Sequence, residues 1–251
     1  MVAKPSPASW LGRVSEMLKL PYDSVVFAAG RGTRLGEITD KVAKPMLHVL
    51  GRPLLYWQVT YLRHGGLEPT VTAWWKSNQI LGLGSAMEFD VTVEDYLQPP
   101  GQVLHALAEG GCLQDIVVCL NGDTIVPKHP AILAERLRSL PTTFSACLLV
   151  RPWTEYDRDK GVLVPHNGNW KPVEKPDRRY PGSKVWTGAA AIRSSAILEH
   201  PSGDSLLQAL SSEGKLATIE TRQPELDIGT WAAYRHADEY LTRYYMSELV
   251  T

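Results

Sequence analysis

The chain has 251 residues, 44% hydrophobic and 21% charged, with a formal net charge of -1. That length suits one large α/β domain or two small ones, and the near-neutral charge leaves no broad electrostatic footprint for nucleic acid or an acidic membrane. No apolar run approaches 18 residues, and Trp10–Leu20 carries Arg13, Glu16 and Lys19, so neither a membrane span nor a signal peptide is expected. The three cysteines, Cys112, Cys119 and Cys147, form no C-x-x-C pair. Cys119 and Cys147 sit in apolar runs and read as core thiols, which fits a reducing, cytoplasmic setting.

In chain order, Ser9–Leu18 has the apolar spacing of a short amphipathic helix with Ser9 as N-cap. Residues 1–22 are expected to be an extension ahead of one domain spanning 23–251. The apolar, β-branched run Val25–Ala29 reads as a buried strand that stops at glycine. Gly30 and Gly32 allow backbone angles and close approaches that a Cβ forbids. A glycine-rich turn after a buried strand offers backbone N–H groups to an anion. Arg31, Arg34, Lys41 and Lys44 add positive charge to the same stretch, so a polyphosphate is the expected ligand.

Helices are expected over Leu54–Arg63, Asn78–Met87, Val103–Ala108 and Ala131–Leu140. Strands are expected over Thr70–Trp74, Phe89–Val93, Ile116–Leu120 and Thr143–Val150. Gly82 and Gly84 count against the second helix. This alternation predicts an α/β fold with a mainly parallel sheet covered on both faces. The second half reads differently. A hairpin is expected from Gly161–Val164 and Asn169–Val173, then strands over Lys184–Ile192 and Leu216–Thr221, and one long helix over Trp231–Leu249. No linker separates the halves, so they are expected to form one domain with two subregions, 23–150 and 151–251.

Two carboxylates follow strand ends. Asp123, in Asn121-Gly122-Asp123, ends the fourth strand, where open α/β sheets place their sites. Asp227 lies in Asp227-Ile228-Gly229-Thr230, with Thr230 a plausible helix N-cap. A P-loop is absent, and Gly30-x-Gly32-x-x-x-Gly36 has the wrong spacing for a dinucleotide fingerprint.

Gly30-Arg31-Gly32-Thr33-Arg34-Leu35 followed by Lys44-Pro45 resembles the two-block signature of the sugar nucleotidyltransferases, the NDP-sugar pyrophosphorylases. Three further blocks, around Asp123, Glu174-Lys175-Pro176 and Asp227, agree in order. The resemblance implies a three-layer α/β/α sandwich with a GT-A or Rossmann-like mixed, mainly parallel sheet. It implies transfer of a nucleotidyl group from an NTP to a sugar 1-phosphate, with Mg²⁺ held by Asp123 and Asp227. Arg34, Lys44 and Asp123 would be catalytic. Ala28, Ala29, Gly30, Gly32, Thr33 and Arg34 would meet the nucleotide, and Glu174, Lys175, Thr187 and Gly188 the sugar phosphate. The segment Gln98–Leu107 departs from the family. Either Pro100–Leu107 aligns with the family's P-L-G-T-A-G-A-L, with Gln102 replacing a glycine and Val103 a threonine, or Gln98 and Gly101 serve the base. A cytidylyltransferase for a non-sugar phosphate and a silent ligand-sensing homologue remain alternatives. A monomer or homodimer is expected; base and sugar are left open.

Overall fold

The computed structural model describes residues 22–157, 160–166, 168–173, 180–201 and 206–246. The helix expected over Ser9–Leu18 lies outside these residues, as do Glu174 and Lys175. Among the described residues the core is a nine-stranded mixed sheet. Its strands are β1 (Tyr22–Phe27), β2 (Pro69–Ala73), β3 (Asp90–Val93), β4 (Leu113–Asn121), β5 (Ala146–Pro152), β6 (Val162–His166), β7 (Asn169–Val173), β8 (Lys184–Arg193) and β9 (Leu216–Glu220). The order runs 7-6-8-4-1-2-3, with β5 on the other edge of β8 and β9 outside β5. All strands run the same way except β7 and β8.

β1 is central and parallel to both neighbours, and Val25 and Val26 are fully buried on opposite faces. On one face Val26, Val118 and Leu120 pack against α2 (Leu54–His64), α3 (Ser77–Met87) and α5 (Ala131–Ser139). On the other, Val25, Val117 and Cys119 pack against α4 (Pro100–Glu109), α6 (Ser194–Glu199) and α7 (Leu206–Ser212). The three layers follow from side-chain alternation along strands buried on both faces. α3 keeps its glycine for a packing reason: a Cβ on Gly84 would lie 2.8 Å from Val91 and 3.0 Å from the Phe89 carbonyl.

A third apolar cluster sits beneath the C-terminal helices and holds Leu35, Leu47, Ile125, Ile228, Leu241 and Tyr245. Here the expectation of one helix over Trp231–Leu249 fails. The chain forms α8 (Trp231–Arg235) and α9 (Ala237–Leu241), then a π-helical turn over Thr242–Met246; residues 247–249 lie outside the description. α8 is capped by Thr230, whose Oγ1 accepts the Ala233 N–H at 3.2 Å, and buries no side chain. His236, at φ -95° and ψ 0°, breaks the helix so that Ala237, Leu241 and Tyr245 face the cluster. α1 (Glu37–Lys41), α6 and α7 are short elements that the sequence pattern did not announce. No helix of the described residues is long and apolar enough to cross a membrane.

Burial pushes the Cys119 and Cys147 thiols up to about 12 and about 11, whereas Cys112 is only partly covered. The native protein should therefore release a single equivalent of chromophore from a disulfide reagent at neutral pH, and all three thiols should react after denaturation in guanidinium.

Candidate active site

Beyond Phe27 the chain leaves the sheet through Ala28–Gly32 and enters a 3-10 turn over Thr33–Leu35. Gly32 has φ +71°, and a Cβ there would lie 3.1 Å from both Cβ and Cδ of Lys44. Thr39 Oγ1 donates to the carbonyls of Gly32 and Gly36 at 3.1 and 2.9 Å, fixing the turn. Gly30 is different: a Cβ there meets nothing within 4 Å. The fold thus requires glycine at 32 but not at 30.

The four basic residues of this stretch do not act together. Arg31 is turned aside, its guanidinium 4.5 Å over the Trp75 ring and 3.1 Å from Asp40. Lys41 ends α1, exposed and away from the clefts described below. Arg34 and Lys44 remain to face the carboxylates.

Asp123 is set by a tight turn. Gly122 donates its N–H to the Phe27 carbonyl at 2.8 Å, and a Cβ there would lie 2.7 Å from that oxygen. The buried Gln58 of α2 donates to the carbonyls of Asn121 and Thr124, each at 2.9 Å. Thr124–Ile125 then pairs with Leu226–Asp227 as a short antiparallel ribbon, and the Ile228 N–H reaches the Asp123 carbonyl at 3.0 Å. This ribbon lays the two acids side by side. Thr124 Oγ1 orients Asp123 at 3.0 Å, and the Gly229 N–H orients Asp227 at 2.7 Å.

Between them lies the ammonium of Lys44, 2.5 Å from Asp123 Oδ2 and 3.3 Å from Asp227 Oδ1. Its side chain is 6% exposed, against 32% and 33% for the two acids. Arg34 is 3.7 Å from Asp227 Oδ2 and largely exposed. A cation already bridging two carboxylates shows that the pair suits a positive charge, and hard oxygen donors fit Mg²⁺. No group of three or more metal-ligating side chains occurs among the described residues, so the remaining positions around a metal would fall to water or ligand oxygens.

Two clefts meet at this pair. The smaller, about 650 Å³, is lined by the loop residues Ala28–Gly30 and Gly32–Arg34 together with Lys44 and Asp123. Gln98 lines it as well, whereas Gly101 lines the larger cleft and Gln102 lines neither. The smaller cleft also holds a residue that sequence reasoning missed. Glu94, directly after β3, is 4% exposed and accepts the Gln98 N–H at 3.0 Å. Burial holds its carboxyl above the usual glutamate range, against the lowering effect of the Gln98 hydrogen bond. Its only sequence signal was an acid ending an alternating strand.

The larger cleft, about 840 Å³, has Asp227 on its wall and opens where β8 changes partners. The first residues of β8 pair with β6, and from Ala189 the strand pairs with β4. The irregularity falls on Thr187 and Gly188. Thr187 is buried and its hydroxyl donates to the Leu149 carbonyl at 3.0 Å, so it holds the bulge. Gly188 has φ +88°, and a Cβ there would lie 2.9 Å from the Asn121 amide. Beside the cleft Arg151 makes paired bonds to both Asp157 and Glu225, and Lys160 also bonds Glu225, two residues before Asp227. Burial raises the Asp157 carboxyl, but Arg151 and Thr154 outweigh it and hold the group below its ordinary range.

The family model for nucleotidyl transferases matches residues 23–243. The chain belongs to this family. This nucleotidyltransferase is 32% identical over 133 residues to the N-acetylmuramate alpha-1-phosphate uridylyltransferase of Neisseria meningitidis serogroup B, a match covering 50% of the chain and 57% of that relative. The matched part thus spans little more than half of that relative's length. In fold it is similar to HddC from Yersinia pseudotuberculosis, with TM-score 0.71 and 22% identity over 87% of this chain and 98% of that one. HddC with GMP-PN gives TM-score 0.70 at the same identity and coverages of 87% and 98%. A Bacillus anthracis structure provisionally assigned as a glucose-1-phosphate thymidylyltransferase, in complex with a sucrose, gives TM-score 0.72 at 21% identity, covering 86% and 94%.

The two glycines of unlike surroundings make a test. Gly122→Ala should lower the melting temperature sharply, because its new methyl meets backbone. Gly30→Ala should melt like wild type yet lose nucleotide affinity by titration calorimetry, because its new methyl enters open space on the wall of the smaller cleft.

Proposed function

We propose that this nucleotidyltransferase converts an NTP and a sugar 1-phosphate into an NDP-sugar and pyrophosphate, with Mg²⁺ between Asp123 and Asp227. The observation that carries this reading is the meeting of two clefts at one carboxylate pair, Asp123 facing one and Asp227 the other. Residues 23–150 then serve the nucleotide and 151–251 the sugar phosphate. The relative named for a sugar phosphate and the solved structure holding a nucleotide analogue support these two substrate classes.

The reaction joins two anions. At an effective dielectric near 20, two unit charges about 4 Å apart repel by about 4 kcal/mol, so the site's task is neutralisation and alignment. The sugar phosphate oxygen is already anionic at neutral pH and attacks the α-phosphorus without a general base. The bond to the bridging oxygen of the β-phosphate breaks in line, and that oxygen keeps the electron pair as pyrophosphate leaves. Lys44 would hold the α-phosphate and Arg34 the β- and γ-phosphates, both as preorganised cations. Mg²⁺ would supply further charge neutralisation at the reacting phosphates. Gly188, through its backbone, and Lys175 would meet the sugar phosphate. Thr187 acts at one remove, since its hydroxyl is committed to Leu149.

Glu94, rather than Gln98 or Gln102, is the side chain we assign to the nucleobase. An ionised carboxylate only accepts hydrogen bonds. Uracil, thymine and guanine present an imino N–H, whereas cytosine and adenine present a bare ring nitrogen at that position. The names uridylyl, thymidylyl and GMP-PN among the relatives are of the first kind.

A grid of the common NTPs against sugar 1-phosphates and phosphocholine, scored by pyrophosphate release with Mg²⁺, tests the activity. UTP, dTTP or GTP with a sugar 1-phosphate should turn over and Asp123→Ala should not; near-normal activity of that variant, or preference for CTP with phosphocholine, sinks the assignment. Glu94 adds a pH signature. Its raised pKa means that the anionic acceptor is neutralised on acidification at a higher pH than an ordinary glutamate would be, so KM for the nucleotide should climb in wild type from above the ordinary glutamate range. Glu94→Gln should raise KM at neutral pH and remove that climb.

A further inference from the structure

Lys44 occupies the position that a metal would need. A Mg²⁺ ion sits about 2.0–2.1 Å from its oxygen ligands. The Lys44 ammonium stands 2.5 and 3.3 Å from the carboxylate oxygens of Asp123 and Asp227 that such an ion would take. Two cations held on the same two carboxylates at such distances repel each other, so each weakens the other's hold. Yet Lys44 also lines the nucleotide cleft and belongs, on the reading above, to the α-phosphate.

We propose that Lys44 is the counter-ion of the carboxylate pair in the free protein, and that its transfer to the nucleotide's phosphate makes metal binding conditional on nucleotide binding. Three observations combine. Lys44 is buried, so removing its partners without supplying another leaves an unpaired charge in a poorly solvated place, which is costly. Its ion-pair partners among the described residues are these two acids. Among the described residues no third metal-ligating side chain clusters with the two carboxylates, so nucleotide phosphate oxygens can join them around a metal in the same event that draws the lysine away.

The stem of Lys44 explains how the exchange stays local. Its Cβ and Cδ lie against Gly32, where a Cβ would come within 3.1 Å, so the stem is fixed at the loop. Only the end of the side chain pivots, between the carboxylates and the loop that receives phosphate. Gly229 has the corresponding role on the other side: a Cβ there would lie 2.6 Å from the Arg34 guanidinium and 3.0 Å from Lys44 Nζ. That gap lets both cations approach Asp227 while no phosphate is bound. Coupling of this kind is reciprocal, so metal strengthens nucleotide binding by the same factor that nucleotide strengthens metal binding.

The inference rests on Asp123 and Asp227 as the metal pair, and the test separates the two ideas. Mn²⁺ binding to the full chain is measured by electron paramagnetic resonance without nucleotide, for wild type, Lys44→Met and Asp123→Asn. Lys44→Met should bind Mn²⁺ about tenfold more tightly than wild type. Addition of α,β-methylene UTP or GTP, whichever binds more tightly, should strengthen Mn²⁺ binding in wild type and much less in Lys44→Met. Equal or weaker Mn²⁺ binding by Lys44→Met, with its melting curve unchanged, overturns the exchange. Loss of binding in Asp123→Asn upholds the metal pair even then, whereas unchanged binding there overturns the metal pair itself. Lys44→Arg, which keeps the charge, should retain the weak free-state affinity.

Discussion

The site depends on the apolar cluster beneath the C-terminal helices. Each charged side chain gathered around the carboxylate pair has an anchor there, one to three residues along the chain. Leu35 follows Arg34, Leu47 follows Lys44 in the same short turn, Ile125 follows Asp123, and Ile228 follows Asp227. Full burial of such a side chain is worth roughly 1.5–3 kcal/mol, more than a solvent-screened ion pair provides. Apolar packing therefore decides where the charges stand, and the ion pairs register the result. Leu241 and Tyr245 close the cluster from the far end of the chain, which is why the terminal helix breaks at His236 instead of running straight.

A second charge arrangement stabilises the site without joining the chemistry. Arg151, Lys160, Asp157 and Glu225 form a neutral group in which both acids are buried and multiply bonded. Glu225 is fixed at the base of the ribbon that carries Asp227. An unpaired carboxylate so close to the two reactive acids would raise the local negative charge, and Arg151 prevents this. The negative potential that draws a cation is left to Asp123 and Asp227, each a third exposed.

Much of this was legible from the sequence because it rests on local rules. Val25–Ala29 could be read as a strand because β-branched runs ending at glycine have few other fates. That Asp123 follows a strand end could be read from the apolar run before it, and the place of Asp227 from Thr230, which caps the helix beyond. What the sequence concealed depends on packing between distant segments. Glu94 reads as an ordinary strand-end acid until β3 is known to run beside β2 and bury it. Arg31 and Lys41 look like phosphate ligands, but Trp75 and Asp40, brought in by the fold, hold the first aside, and helix geometry points the second away. The equivalence of Gly30 and Gly32 was likewise false, since Lys44 crowds one and nothing crowds the other. The bulge at Thr187–Gly188 lies in the ladder between β8 and β5, opposite the edge where β8 passes from β6 to β4, a pairing no local pattern encodes.

That shared edge has a consequence for how the chain could diversify. The hairpin of β6 and β7 joins β8 through two residue pairs, Lys184 with Leu163 and Val185 with Val162, while the phosphate-facing side is built from β1, β4 and the ribbon. One wall of the larger cleft is therefore a hairpin that meets the sheet through two residue pairs and packs against α7. On the proposed reading, changes in that hairpin would alter which second substrate fits while leaving β1, β4 and the ribbon in place. The proposed reaction and the grip on its second substrate would then rest on different parts of one fold.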